Sequence, residues 1–306
     1  MICKWIILLL FGSISFGQDL IGEGLYGENL IVYLRENYLT STTLGYTNAR
    51  DVMYLEIDRE WDGHVYGIYT DYSVYLPDGV DPSTHLYENG INCEHIWPQS
   101  LYEGGEPIKS DMHALRPCKD NVNSARGNKP FSEITDEQTT TWYWLDEQTS
   151  NIPQVNINEY SENHGSYFEP REGRKGDIAR TIFYFYTMYS DVADDAFFDM
   201  QKEVLQGWHN GDPSNEDERN RTLKIAVYQE GKPNPFILDS TLIERAYFYD
   251  EFVQGDINED GILNILDIVA LISEILSEGN NPLGDLNGDE NVNILDVVIL
   301  ADIILN

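Results

Sequence analysis

Cationic side chains are scarce in this chain: 19 Lys and Arg stand against 53 Asp and Glu, a formal net charge of −34 over 306 residues. That balance argues against a protein held to polyanions by its overall field, because affinity for phosphate backbones leans on Lys and Arg. The scarcity is uneven, however. Lys109, Arg116, Lys119, Arg126 and Lys129 fall within one short window, and Arg171, Arg174, Lys175 and Arg180 within another, whereas residues 251–306 hold 12 acids and no base. A local basic cleft on an acidic body therefore fits the sequence. Long apolar runs are missing too. The N-terminal stretch Trp5–Phe11 is far shorter than the ~20 residues of a membrane span, and with Lys4 ahead and small residues behind, residues 1–17 read as a secretory signal peptide. Cysteine is nearly absent. Export removes Cys3 and leaves Cys93 and Cys118, which in an oxidising compartment read as one disulfide; the alternative is two unpaired buried thiols.

What is present supports a folded core. Hydrophobic residues make up 42% of the chain and aromatics 12%, with 20 Tyr, which excludes a disordered class. Apolar spacing predicts a helix over Asn29–Asn37 and the start of another over Asn48–Met53; β-branched and aromatic residues predict a strand over Val65–Tyr75. A strand ends at Glu94-His95 and runs into a loop at Pro98, and Asp120–Asn128 reads as a short helix stopped by Gly127. Residues 136–166 read as a surface excursion. Asp177–Tyr189 is an apolar helix, with a second helix expected within Thr187–Leu205.

Three nearby segments carry the chemistry: Asn92-Cys93-Glu94-His95-Ile96-Trp97-Pro98-Gln99, then Ser110–Pro117, then Asn121–Asn128. Hydrolysis of a phosphodiester needs a deprotonated water and neutralisation of developing charge. A carboxylate and an amide, Glu94 and Asn123, suit a hard dication. A neutral imidazole, His95, suits proton abstraction near physiological pH. An isolated Glu-His pair would more simply be a polar strand end; the three segments together favour chemistry. A zinc protease would need His-Glu-x-x-His, which does not occur.

These segments, with Phe168–Arg171, Lys175–Arg180 and Asn234–Ile237, resemble the endonuclease I family of secreted nucleases over residues 30–245. The resemblance implies an α+β fold containing a ββα-metal (His-Me finger) site, with His95 as general base and Glu94 and Asn123 holding one Mg²⁺-type ion. It gives Asp111, His113 and Asn128 supporting positions and makes Arg126 a phosphate contact. Arg116, Arg126 and Arg180 are the alternatives for a transition-state arginine. Ala114 departs from the family, which often carries Asn or His there. The implied substrate is DNA, and RNA as a further possibility, cut with little sequence preference to 5′-phosphorylated fragments. A catalytically inactive nuclease fold serving as a scaffold is the competing class.

Composition shifts near Gln254, where two near-copies begin 29 residues apart, at Gly255 and Gly284. Asp256, Asn258, Asp260, Asn264 and Asp267 occupy alternating positions of a loop, and Asp285, Asn287, Asp289, Asn293 and Asp296 repeat them. Ile262 and Asn291 would add backbone carbonyls, completing two oxygen-rich Ca²⁺ sites, each followed by an apolar helix. Residues 254–306 resemble the dockerin type I module, a small all-α domain, which implies two Ca²⁺ ions and a cohesin-like protein partner. Glu290 stands where the second loop should have Gly, and Ile265-Leu266 and Ile294-Leu295 stand where Ser-Thr is common, which favours a different partner or contact with the chain's own large domain. The expected organisation is a signal peptide (1–17), a nuclease-like domain (18–250) and the calcium module (254–306).

Overall fold

The computed structural model describes residues 20–249, 254–258, 263–277, 279 and 281–305. The expected signal peptide, and Asp260 and Ile262 of the first calcium loop, lie outside the described residues. The chain divides into two units, Met1–Tyr247 and Phe248–Asn306.

The first unit mixes helices and antiparallel sheet. Helix α1 (Gly27–Tyr38) buries Leu30 and Leu34, one turn apart on a single face. Helix α2 (Tyr46–Val52) continues into a π turn, Met53–Ile57, that buries Met53, Tyr54 and Ile57. The strand expected over Val65–Tyr75 is two short ones, β1 (His64–Tyr66) and β2 (Ser73–Tyr75), paired antiparallel. The chain reverses between them because Gly67 and Asp71, the latter at φ 56°, form a turn closed by Gly67 N–H to Tyr72 O. Any Cβ on Gly67 would lie 3.1 Å from the Lys119 backbone nitrogen, so a glycine lets this turn pack on the strand that carries Lys119. Helix α3 (Pro82–Glu88) starts at Asp81, whose carboxylate accepts the Thr84 N–H, with Pro at the first turn.

Strands β3 (Ile91–His95) and β4 (Leu115–Lys119) form a two-stranded ribbon, with Ile91 opposite Lys119 and His95 opposite Leu115. Helix α4 (Asp120–Arg126) follows at once and stops at Gly127, which takes φ 57°, as the sequence predicts. Residues 136–166 depart from the expected surface excursion. They contribute β5 (Thr141–Trp144), β6 (Glu147–Thr149) and β7 (Ser161–Asn163), which with β8 (Phe168–Glu169) make a four-stranded sheet in the order β6-β5-β7-β8. Trp142 and Ser161 are fully buried there, and the Ser161 hydroxyl donates to Tyr69 O while accepting from the Arg171 N–H. Short alternating strands flanked by polar turns hide such a sheet from a composition argument.

Helix α5 (Lys175–Tyr189) buries nearly every side chain and forms the centre of the unit. The second helix expected within Thr187–Leu205 is broken: α6 (Asp195–Asp199) is capped by Asp194, and α7 (Lys202–Gly211) follows. Helix α8 (Glu216–Ala226) begins with a reciprocal Asn215–Glu218 capping box; α9 (Pro235–Leu238) and α10 (Leu242–Tyr247) complete the unit.

In the second unit, α11 (Ile265–Leu276) and α12 (Ile294–Leu305) pack around Leu271, Val297 and Leu300. No helix among the described residues is long and apolar enough to cross a membrane.

Candidate functional site

Residues opposite one another on an antiparallel ribbon share a face, and neighbours along a strand alternate. Asn92 and Glu94 therefore lie on one face of the β3–β4 ribbon with Cys118 and Arg116, while Cys93 and His95 lie on the other with Pro117 and Leu115. Glu94 is only 2% exposed. Its Oε1 accepts a 2.8 Å hydrogen bond from the Tyr69 hydroxyl and lies 3.2 Å from Arg126 Nη1, whereas Oε2 has no hydrogen bond among the described residues. Burial pushes the Glu94 carboxyl up to about 7, against the opposing pull of Arg126 and Tyr69. From α4, the Asn123 amide donates to Asn92 Oδ1 at 2.7 Å and to Cys93 O at 3.2 Å. Those two bonds fix the amide and leave its Oδ1 without a partner among the described residues. Two hard oxygens thus stand unclaimed in the chain's own hydrogen bonding, a donor set whose chemistry fits a Mg²⁺-type ion. Among the described residues no group of three His, Cys, Asp or Glu is arranged to hold a metal ion, so water or substrate oxygens would complete the shell, as Mg²⁺ commonly requires.

His95 is 8% exposed and packs against Tyr46, with ring centroids 5.4 Å apart. Its Nε2 lies 3.0 Å from Lys109 O, and a carbonyl only accepts, so Nε2 carries the proton. Nδ1 is then the basic nitrogen, and it accepts from the Gln99 side-chain amide at 3.1 Å. Burial holds the imidazole down to about 4, against the Lys109 carbonyl and with the help of the Lys109, Arg126 and Arg50 charges. The ring is neutral at physiological pH. Gln99 itself is exposed, so its amide occupies the side from which a water would reach Nδ1.

Other sequence-predicted residues sit elsewhere. Arg126 is 0% exposed, and its guanidinium donates to His95 O and Ile96 O besides pairing with Glu94; it also lies 4.6 Å over the Phe131 ring. The expected phosphate contact is corrected: a fully buried guanidinium has no surface to offer, and this one staples the end of β3. We expect Arg126→Ala to destabilise the protein by ~3–5 kcal/mol, the cost of leaving a buried charge unpaired, as read from denaturant unfolding. Asp111 is also 0% exposed. It accepts from the Tyr184 and Tyr189 hydroxyls, the Gln229 amide and the His113 N–H, all between 2.8 and 3.0 Å. The His113 ring contacts Lys232 O and Tyr184. Neither touches Glu94, Asn123 or the His95 ring, so both anchor the loop after Lys109 to the helices and leave direct orientation of the site to others. Asn128 is exposed after Gly127. Arg180 is buried in a two-bond pair with Glu218, which removes it as a transition-state arginine.

Residues that local motifs did not reveal complete the surroundings. Tyr69 holds Glu94, Tyr46 walls His95, and Arg50 and Lys109 lie 4.6 and 4.8 Å over the Tyr46 ring. These two half-buried cations are the ones packed next to the His95 ring. Gln99 stood inside the quoted motif, but Tyr46, Arg50 and Tyr69 come from distant segments with no spacing signal.

The expected Cys93–Cys118 disulfide is absent; both thiols are free. The register gives the reason, since Cys93 faces with Pro117 and Cys118 with Asn92, on opposite sides of the ribbon. In the second unit, Asp267 and Asp296 are fully buried. Each accepts backbone N–H bonds from its own loop, Asp267 from Ile257, Asn258 and Asn264, and Asp296 from Leu286, Asn287 and Asn293. Asp285 accepts from the N–H groups of Gly288, Asp289 and Glu290, and Glu290 takes the left-handed φ of 66° at the position where glycine was expected. Asp256 is buried, and Asn264 caps α11. Asp289 and Asn291 lie in exposed turns.

A family model described as Endonuclease I matches residues 27–241. An extracellular ribonuclease of Bacillus subtilis (strain 168) is 31% identical over 168 residues, covering 48% of this chain and 50% of the relative. An extracellular ribonuclease of Bacillus amyloliquefaciens is 31% identical over 163 residues, with the same shares. The chain spans about half the length of these curated relatives.

Proposed function

The chain belongs to the endonuclease I family, and from that premise we propose that it is an exported endonuclease hydrolysing phosphodiester bonds with one divalent ion held by Glu94 and Asn123. The observation that carries the reading is the pair of unclaimed oxygens, Glu94 Oε2 on the ribbon and Asn123 Oδ1 on α4, with a neutral imidazole at the residue after Glu94. When bound, the ion supplies Lewis-acid stabilisation of charge developing on the phosphate and the leaving oxygen.

The protein's own groups do the rest. His95 Nδ1 takes the proton of the attacking water once the Gln99 amide swings aside, and the Lys109 carbonyl steadies the imidazolium through Nε2–H. The water oxygen bonds to phosphorus and the 3′ oxygen leaves, giving a 5′-phosphorylated end. Tyr69 and Arg126 hold Glu94 in place, and Lys109 and Arg50 provide positive charge to the phosphate. These roles concern the water, the ion and the phosphate, with none assigned to a base edge, which favours cleavage with little sequence preference. Two relatives bear the name extracellular ribonuclease, which supports RNA as a substrate alongside DNA. The test is a cleavage assay on duplex DNA, single strands and RNA. We expect activity with Mg²⁺, none in EDTA, and recovery when Mg²⁺ is restored; EDTA-resistant cleavage would overturn the reading.

For the second unit we propose a dockerin-like role with one Ca²⁺ per loop and a cohesin-like partner. Loops that wrap inward onto a buried aspartate, twice in register, support it. The matching outward apolar pairs (Ile265 and Ile294 are 67% and 64% exposed, Leu266 and Leu295 57% and 58%) offer a contact surface of a different character from the common Ser-Thr. Equilibrium dialysis of the full chain should count two Ca²⁺; fewer than one would remove the assignment.

A further inference from the structure

The first unit contains a cavity of about 570 Å³ that shares no residue with the Glu94, His95 and Asn123 cluster. It opens between the β1 turn, β4 and α8, and Arg116 lines it. Arg116 is 5% exposed yet has no hydrogen bond or ion pair among the described residues, and its Nη1 is wholly buried. Its cross-strand neighbour Glu94 is already engaged by Tyr69 and Arg126.

The remaining acids of the cavity are similarly taken or solvated. Asp58 receives two bonds from Arg221 at 2.6 and 2.9 Å, Glu218 receives Arg180, and Asp177 receives Arg174 at 3.0 Å through Oδ2, its buried Oδ1 lying 3.7 Å from Arg180 Nη2 without a hydrogen bond. Glu60 and Asp217 are exposed at the rim. Lys224, exposed on α8, spends its ammonium only on a 3.4 Å contact to Ile57 O. A desolvated cation without a counter-charge is strongly disfavoured, and no carboxylate among the described residues pairs with Arg116, so an anion entering the cavity would supply the partner. A guanidinium fork suits the paired oxygens of a phosphate, with an ammonium as a second point of charge.

We propose that this cavity binds the phosphomonoester group of a small nucleotide, with Arg116 and Lys224 on the phosphate and the nucleoside against Ile57, Ile68, Val227 and Tyr66. The volume falls within the roughly 300–1,000 Å³ range of small-molecule sites and exceeds what inorganic phosphate alone would fill. The rim carboxylates of Glu60 and Asp217 repel an extended polyanion and favour a short one. The choice of a nucleotide among phosphomonoesters rests on the hydrolase reading, whose products carry 5′-phosphates; the anion site itself does not.

Isothermal titration of the full chain with 5′-dAMP, inorganic phosphate and deoxyadenosine tests the proposal. We expect one dAMP per chain, weaker competition by phosphate, and deoxyadenosine at least tenfold weaker than dAMP. Arg116→Met should lower dAMP affinity at least tenfold while leaving the melting temperature unchanged or higher. Lys224→Met, on the exposed helix face, should lower it several-fold in a protein whose folding is not at stake. His95→Ala should leave binding unchanged, which separates this site from the hydrolytic one. Absence of saturable dAMP binding, or unreduced affinity in both the Lys224→Met and the Arg116→Met proteins, would overturn the site. Phosphate binding as tightly as dAMP would overturn the nucleotide assignment.

Discussion

The His95→Ala protein keeps its secondary structure and loses nucleic-acid cleavage by ~10²–10⁴-fold, the usual contribution of a positioned general base. Its ring packs against Tyr46 and makes two hydrogen bonds, with Lys109 O and Gln99. Truncation therefore removes a proton acceptor from the end of β3 without touching the Glu94–Arg126–Tyr69 set on the opposite face. Burial keeps the imidazole neutral down to about pH 4, so it is free to accept a proton across the physiological range. Plasmid nicking and circular dichroism on the same preparation make the measurement. Undiminished digestion by a folded His95→Ala protein would remove His95 from the chemistry and with it the proposed reaction.

The second large effect is on metal dependence. Desolvation raises the Glu94 carboxyl to about 7, so in the metal-free protein a proton competes with a dication for the same oxygen. The sign follows directly: below pH 7 the proton prevails, and apparent Mg²⁺ affinity falls as pH falls through that value. Between pH 8 and pH 6 the ionised fraction drops about tenfold, and the Mg²⁺ concentration for half-maximal cleavage should rise about tenfold. His95 does not contribute, because it stays neutral across that range. The same raised carboxyl makes the metal-free protein more stable in mild acid, with that advantage lost as pH rises through 7; bound Mg²⁺ offsets the loss above it. Glu94→Gln should abolish cleavage at every pH. A Mg²⁺ requirement flat from pH 6 to 8 would show that Glu94 does not carry the ion.

Much of this site was legible in the chain because its parts are local. Glu94 and His95 are adjacent, and Asn123 lies on a helix whose start at Asp120 and stop at Gly127 were readable. Side-chain roles that depend on depth were not readable. Arg126 resembles a phosphate ligand by composition, yet burial turns it inward to the carbonyls of His95 and Ile96. Tyr69, Tyr46 and Arg50 reach the site from segments that reverse or pack only in three dimensions, so no spacing announces them. The sheet formed by β5 to β8 was hidden for another reason: its strands are two to four residues long, too short for a period of two to stand out from their polar turns.

The two free thiols on opposite sides of the ribbon have a practical corollary. No oxidation step stands between synthesis and a finished site, so dithiothreitol should leave both turnover and thermal denaturation untouched.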